Sequence, residues 1–274
     1  MSDRVLSMNL ATLRNGSSFG DMIDDCLAHG VTAIAPWRDQ IEAVGLAEAV
    51  RIVESNQLRV TGLCRGGMFP SSSAEGRQKS IEDNLRAIDE AAALGADCLV
   101  LVVGGLPEGS KDLAGARQMV ADGIWAMLPY AKASGVPLAI EPLHPMYAAD
   151  RSCVNTIDQA LDICEMLGEQ VGVAIDVYHV WWDPDLVAAI ERAGKMNRIF
   201  AHHISDWLVP TADLLLDRGM MGDGVIDLKR IRGMIEAAGY SGPQEVEILS
   251  RDNWWKRPGD EVVRTVVERF ETYC

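Results

Sequence analysis

Four side chains in this sequence have types and positions suited to one piece of chemistry: Glu141 after Pro137-Leu138-Ala139-Ile140, Asp176 after Val173-Ala174-Ile175, His203 after Ile199-Phe200-Ala201, and Glu247 after Glu245-Val246. Each follows a short apolar or β-branched run, which reads as a strand, so each stands at a strand C-terminus. Three carboxylates and one imidazole form a natural coordination set for a divalent cation of intermediate hardness. Such a set neutralises a dication, leaves positions open for two substrate oxygens, and favours Mn²⁺, Mg²⁺ or Co²⁺ over a thiolate-bound structural zinc. Any one of these carboxylates alone would read as solvated. The weight lies in four falling at consecutive strand ends.

Bringing them together requires parallel strands whose C-termini converge. Short strand-like runs alternate with longer segments of helical period along the whole chain: Val5 to Asn9, Val31 to Ala35, Arg59 to Leu63, Cys98 to Val103, Pro137 to Ile140, Val171 to Ile175, Arg198 to Ile204 and Glu245 to Leu249. Helices are expected between them, several stopped by glycines such as Gly95, Gly135, Gly168 and Gly239. Eight strands and eight helices predict a single-domain (β/α)8 TIM barrel over residues 1–274, with chemistry in the loops that follow the strands. No linker, low-complexity tract or charge block argues for a boundary.

The net charge of −15 and the scattered basic residues speak against nucleic acid as a partner. Cys26, Cys64, Cys98, Cys153, Cys164 and Cys274 form no C-x-x-C pair and sit mostly in apolar segments, which suggests a reducing compartment. The N-terminal Met1-Ser2-Asp3-Arg4 shows no basic stretch followed by an apolar run, and no segment reaches the ~18 apolar residues of a membrane span. A cytoplasmic enzyme is the expectation.

Further motifs carry a family resemblance. Ile140-Glu141-Pro142, Asp176-x-x-His179, His203-Ile204-Ser205-Asp206, Gly222-Asp223-Gly224-Val225-Ile226-Asp227-Leu228, and Ala238-Gly239-Tyr240-Ser241-Gly242-Pro243 leading to Glu245-Val246-Glu247 span nearly the whole chain. With these the sequence resembles the sugar phosphate isomerase/epimerase family of xylose isomerase-like TIM barrels, which includes endonuclease IV, hydroxypyruvate isomerase, inosose-processing enzymes and ketose 3-epimerases. The resemblance implies that Glu141, Asp176, His203 and Glu247 bind one divalent metal, that His179 lies nearby as a substrate or supporting group, and that Arg218 reaches substrate oxygens. Mn²⁺ is the expected ion, with Mg²⁺, Co²⁺ and Zn²⁺ as alternatives.

Of the adjacent histidines only one can face inward from a strand. His203 is assigned to the metal from its place before Ile-Ser-Asp, and His202 is expected to pack outside. Other candidate substrate contacts are His144 in a Pro-bracketed loop, Trp37 and Trp181 among the strand-following tryptophans, Arg65 in Arg65-Gly66-Gly67, and Asp206, which could equally order a loop or hold Arg218. Trp254-Trp255 could bury an oligomer contact.

The expected activity is isomerisation or epimerisation of a sugar or keto-sugar through a metal-bound enediolate, with Glu141 and Glu247 as the acid/base pair. The same site could serve a lyase acting on an inosose or 3-keto-glycoside. An endonuclease IV-like phosphodiesterase would need many histidine ligands, and this chain has five His. A metal-free binding protein is the remaining non-enzyme reading. No Arg, Lys or Gly-rich phosphate loop stands out after strands seven and eight, so an unphosphorylated carbohydrate is the expected small-molecule partner.

Overall fold

The computed structural model describes residues 4–274, so Met1 to Asp3 of the N-terminal reading lie outside the described residues. Leu6–Asn9 pairs in parallel with Ala33–Ala35 on one side and with Gln244–Val246 on the other. Pairing continues in parallel from Gln244–Val246 through Ile199–Ile204, Val171–Asp176, Leu138–Ile140 and Leu99–Val102 to Leu63–Gly67. The ring closes through the third barrel strand, which is interrupted: Arg59–Val60 pairs with the second strand, and Leu63–Gly67 with the fourth. This is the expected (β/α)8 barrel.

Alternation along each strand divides the interior into two cores. Outward-facing Met8, Leu99, Leu101, Leu138, Ile140, Val173, Ile175 and Val246 join the main hydrophobic core with the surrounding helices. Inside the barrel, Cys98, Val100, Ala139, Ala174 and Ala201 form a separate small cluster. Their small size leaves room above them for the polar side chains two residues further along the same strands. The helix starts are local chemistry. Ser18, Ser73, Asp112 and Thr156 accept the main-chain N–H three residues on and cap Phe19–Ala28, Ala74–Leu94, Leu113–Ala133 and Ile157–Leu167.

Where the structure departs from the sequence reading, the causes are short range. Among the described residues there are ten α-helices rather than eight, because short ones follow the second and sixth strands at Arg38–Val44 and Val177–Val180. Arg38 opens the first of these and pairs with Asp83 and Glu90. The eighth strand ends at Val246, leaving Glu247 just beyond it. A two-stranded antiparallel ribbon, Asp206–Trp207 with Arg218–Gly219, was not foreseen. Among the described residues no helix is long and apolar enough to cross a membrane.

Candidate active site

Glu141, Asp176, His203 and Glu247 meet at the C-terminal end of the barrel. One ligand atom from each lies within 4.8 Å of every other, and all four residues are buried. His203 Nδ1 is 3.0 Å from Glu141 Oε1. Burial alone would push the His203 imidazole down, yet the carboxylates of Glu245, Glu141 and Glu247 outweigh it and hold the ring well above its ordinary value. Burial pushes the Glu247 carboxyl up to about 8, with Glu141 and Asp176 adding to the effect against the pull of Arg218. Three buried carboxylates crowded around one imidazole are costly unless a cation sits among them. The residues therefore fit a divalent metal, with His203 offering one nitrogen and the three acids an oxygen each.

His202 points the other way. It packs edge-on to Tyr240 outside the strand layer, and burial together with His203 pushes its imidazole down to about 3. His203→Ala is expected to abolish bound metal, whereas His202→Ala retains it and loses only stability, as metal analysis of the purified variants would read. The reverse pattern would invert the register.

Arg218 provides the cationic counterweight from the ribbon after the seventh strand. Its Nη1 is 2.8 Å from Asp176 Oδ2 and 2.9 Å from Glu247 Oε2, and its guanidinium lies 4.5 Å from the Tyr178 ring centroid. Asp176 also caps the short helix Val177–Val180 by accepting the Tyr178 N–H at 2.8 Å, which brings His179 back over it. His179 Nδ1 accepts the main-chain N–H of His144 at 3.2 Å. Arg218 Nη2, which can only donate, points at His179 Nε2 from 3.1 Å, so each ring nitrogen faces a donor and a neutral ring accepts from one of them. Burial, reinforced by Arg218, pushes the His179 imidazole down to about 4, so it is neutral near pH 7.

One layer deeper lies Glu245, a residue the sequence reading passed over. It accepts from Asn9 Nδ2 at 2.7 Å and Thr61 Oγ1 at 3.2 Å, and its Oε1 is 3.6 Å from His203 Nε2. Nδ1 of His203 thus faces Glu141, and the Glu245 carboxylate lies behind the ring on the Nε2 side, close enough to hold it charged. The signal was present: Glu245 and Glu247 are two apart, so both face the barrel axis. Glu245→Gln is expected to weaken Mn²⁺ binding about 10- to 100-fold, measured by titrating the chelator-stripped protein; unchanged affinity would remove Glu245 from this role.

Above the quartet opens a cavity of about 330 Å³. Of the residues expected to touch substrate, Trp37, Arg65, His179 and Arg218 line it, along with Glu141 and Glu247. Three others lie outside that lining. Asp206 is spent on main chain, accepting the N–H groups of Trp207, Gly222, Gly224 and Ile226 at 2.8–3.0 Å, so it ties down the Gly222-Asp223-Gly224 loop. Asp206→Ala should cost about 3 kcal/mol by leaving those donors unpaired, a loss that denaturant unfolding would detect. His144 stacks on Trp207 and acts on the site through its main-chain N–H. Trp181 packs against Trp207, 5.7 Å between ring centroids, and stays out of the cavity lining.

The tryptophan pair also divides. Trp254 is buried within the chain beneath Arg257, while Trp255 lines the cavity and donates its Nε1–H to the Ala11 carbonyl. Tyr147 and Arg151 also line the cavity and were not singled out from the sequence.

Comparison with known proteins agrees with this architecture. The family model for xylose isomerase-like TIM barrels matches residues 23–273. The inosose isomerase of Halalkalibacterium halodurans is 29% identical over 139 residues, covering 49% of this chain and 47% of that protein. The chain is thus matched to about half the length of that relative. The crystal structure of protein SMc04130 from Sinorhizobium meliloti 1021 is 70% identical with a TM-score of 0.97, covering 98% of each chain. That of the IOLI protein with a bound zinc atom is 21% identical with a TM-score of 0.84, covering 98% of this chain and 99% of that one, and shows likeness of fold. From the family match over nearly the whole chain, this protein belongs to the xylose isomerase-like TIM barrels.

Proposed function

We propose that the protein is a divalent-metal-dependent isomerase or epimerase of a sugar or keto-sugar. What carries this reading is the buried quartet Glu141, Asp176, His203 and Glu247 beneath a cavity large enough for one small substrate, with Glu141 and Glu247 both in its lining. The likeness to an inosose isomerase supports it. A dication held by the quartet supplies Lewis-acid polarisation of a substrate carbonyl, which acidifies the adjacent C–H. The chain's own groups do the rest.

Glu141 and Glu247 come from the fifth and eighth strands and reach the cavity from different sides of the ring. One takes the proton from the carbon beside the carbonyl and the other returns it. The Arg218 guanidinium lines the cavity beside His179 and is a donor for a substrate oxygen. Trp37, Trp255 and Leu143 wall the cavity and limit water around the developing enediolate.

The test is incubation of inososes, ketohexoses and 3-keto-glycosides with the Mn²⁺-loaded protein in D2O, followed by mass spectrometry. A product isomeric with its substrate and carrying solvent deuterium at the carbon beside the carbonyl is the expected result. An unsaturated or cleaved product would assign a lyase instead, and absence of both exchange and product would overturn the reading.

A further inference from the structure

Two arginines on the cavity wall have no part in the proton transfer just described. Arg65, on the third barrel strand, and Arg151, in the loop after Pro145–Tyr147, both line the cavity and are half-buried. Their neighbours are compensated: Arg14 pairs with Asp39, and Arg218 with Asp176 and Glu247. Among the described residues, Arg65 and Arg151 have no ion pair with any carboxylate, although the chain has 40 acidic residues against 25 basic ones. The Arg151 guanidinium lies 5.9 Å from the Tyr147 ring centroid. Tyr147, 6% exposed and lining the same cavity, buries a hydroxyl that has no hydrogen-bond partner.

One small cavity is therefore lined by two guanidiniums that have no carboxylate within ion-pair distance, both of them donors. The hydroxyls of a neutral sugar would serve them weakly, whereas an anionic oxygen makes charge-assisted bonds to each. We propose that the substrate is a small keto-sugar bearing a carboxylate or phosphate, whose anionic oxygens are held by Arg65 and Arg151 while its carbonyl end lies over Glu141 and Glu247. This rests on the keto-sugar reading above and adds a charge to it. The net charge of −15 disfavours anions at the surface generally, which makes this cavity wall the place where one is retained.

D-Fructose, D-fructuronate and D-fructose 6-phosphate share one ketose frame and differ at a single carbon, bearing a hydroxymethyl, a carboxylate or a phosphate. Their binding to the Mn²⁺-loaded protein is compared by isothermal titration at low and high salt. At least one anionic ketose is expected to bind about ten-fold or more tightly than fructose, with the preference shrinking as salt rises. Which anion wins separates carboxylate from phosphate.

In the double variant Arg65→Gln/Arg151→Gln the ratio should collapse toward one, and each single variant should lower it in part. Arg230→Gln, a surface control that also removes a positive charge, should keep it; circular dichroism and metal content check that each variant is folded and loaded. Equal binding of the three ketoses, or a preference that survives the double variant, overturns the anion proposal while leaving the keto-sugar reading intact. Binding of none of them by metal-loaded protein defeats both.

Discussion

Glu141→Gln and Glu247→Gln should each lower kcat on the best keto-sugar by about 10³-fold or more. Two losses combine in each substitution. An amide cannot accept the proton from carbon, and it replaces an anionic oxygen in a quartet whose atoms lie within 4.8 Å of one another. Measuring kcat at saturating Mn²⁺ isolates the first loss, and titrating the metal isolates the second. Asp176→Asn is the informative comparison, because Asp176 sits in the quartet while Arg218 and the Tyr178 N–H occupy its oxygens. It should weaken metal binding as the glutamate variants do, yet recover much of its kcat when metal is saturating. If the glutamate variants recover equally, neither is the base.

The second large effect concerns Arg218 and stability. Its guanidinium holds two buried carboxylates at 2.8 and 2.9 Å, and those two acids outweigh the burial that would otherwise push its own ionisation down. Without it, Asp176, Glu141 and Glu247 share the buried space with His203 alone. Breaking such a pair by removing one partner costs about 3–5 kcal/mol. Arg218→Met, which keeps much of the apolar bulk, should therefore be strongly destabilised in chelator.

A dication offers the same compensation from another direction. At a thousandfold excess over its Kd, a ligand that binds only the folded state contributes about 4 kcal/mol. The difference between Arg218→Met and the parent should shrink when Mn²⁺ is present, as urea unfolding in the two conditions would measure. By the same reasoning the parent stays folded after chelation, since Arg218 and the two hydrophobic cores remain. An Arg218→Met deficit of equal size with and without Mn²⁺ would show that the residue acts through packing.

What could be read from the sequence followed from local rules. Period-two and helical runs located all eight barrel strands, and the strand-end rule then brought Glu141, Asp176, His203 and Glu247 together without any knowledge of their distances. Alternation likewise separated His203 from His202. The same rule places Glu245 beside Glu247, but a carboxylate beneath the site is recognised only when Asn9 and Thr61 are seen to converge on it from the first and third strands.

Closure of the ring, which no local pattern encodes, also brings Arg65 and Arg151 to one cavity. The ribbon of Asp206–Trp207 and Arg218–Gly219 is only two residues wide on each side, too short for any periodicity. Its formation swings Arg218 into the quartet and turns Asp206 toward the main chain of its own loop. Trp181 was read by analogy with neighbouring tryptophans, and its packing on Trp207 depends on that same ribbon.

The six cysteines, all free and buried, give the fold a set of internal clocks. Burial raises each thiol, so in the closed protein none offers much thiolate to an alkylating reagent at neutral pH. Labelling can then proceed only as fast as the structure around each sulfur opens. The sites sample different depths: Cys98 inside the barrel, Cys64 against the cavity, Cys26 and Cys164 beneath the helices, and Cys274 behind the last helix. Labelling by mass with and without Mn²⁺ would rank which parts of the barrel loosen first. Cys64, beside Glu247 and Glu141, should be the thiol whose labelling the metal slows most.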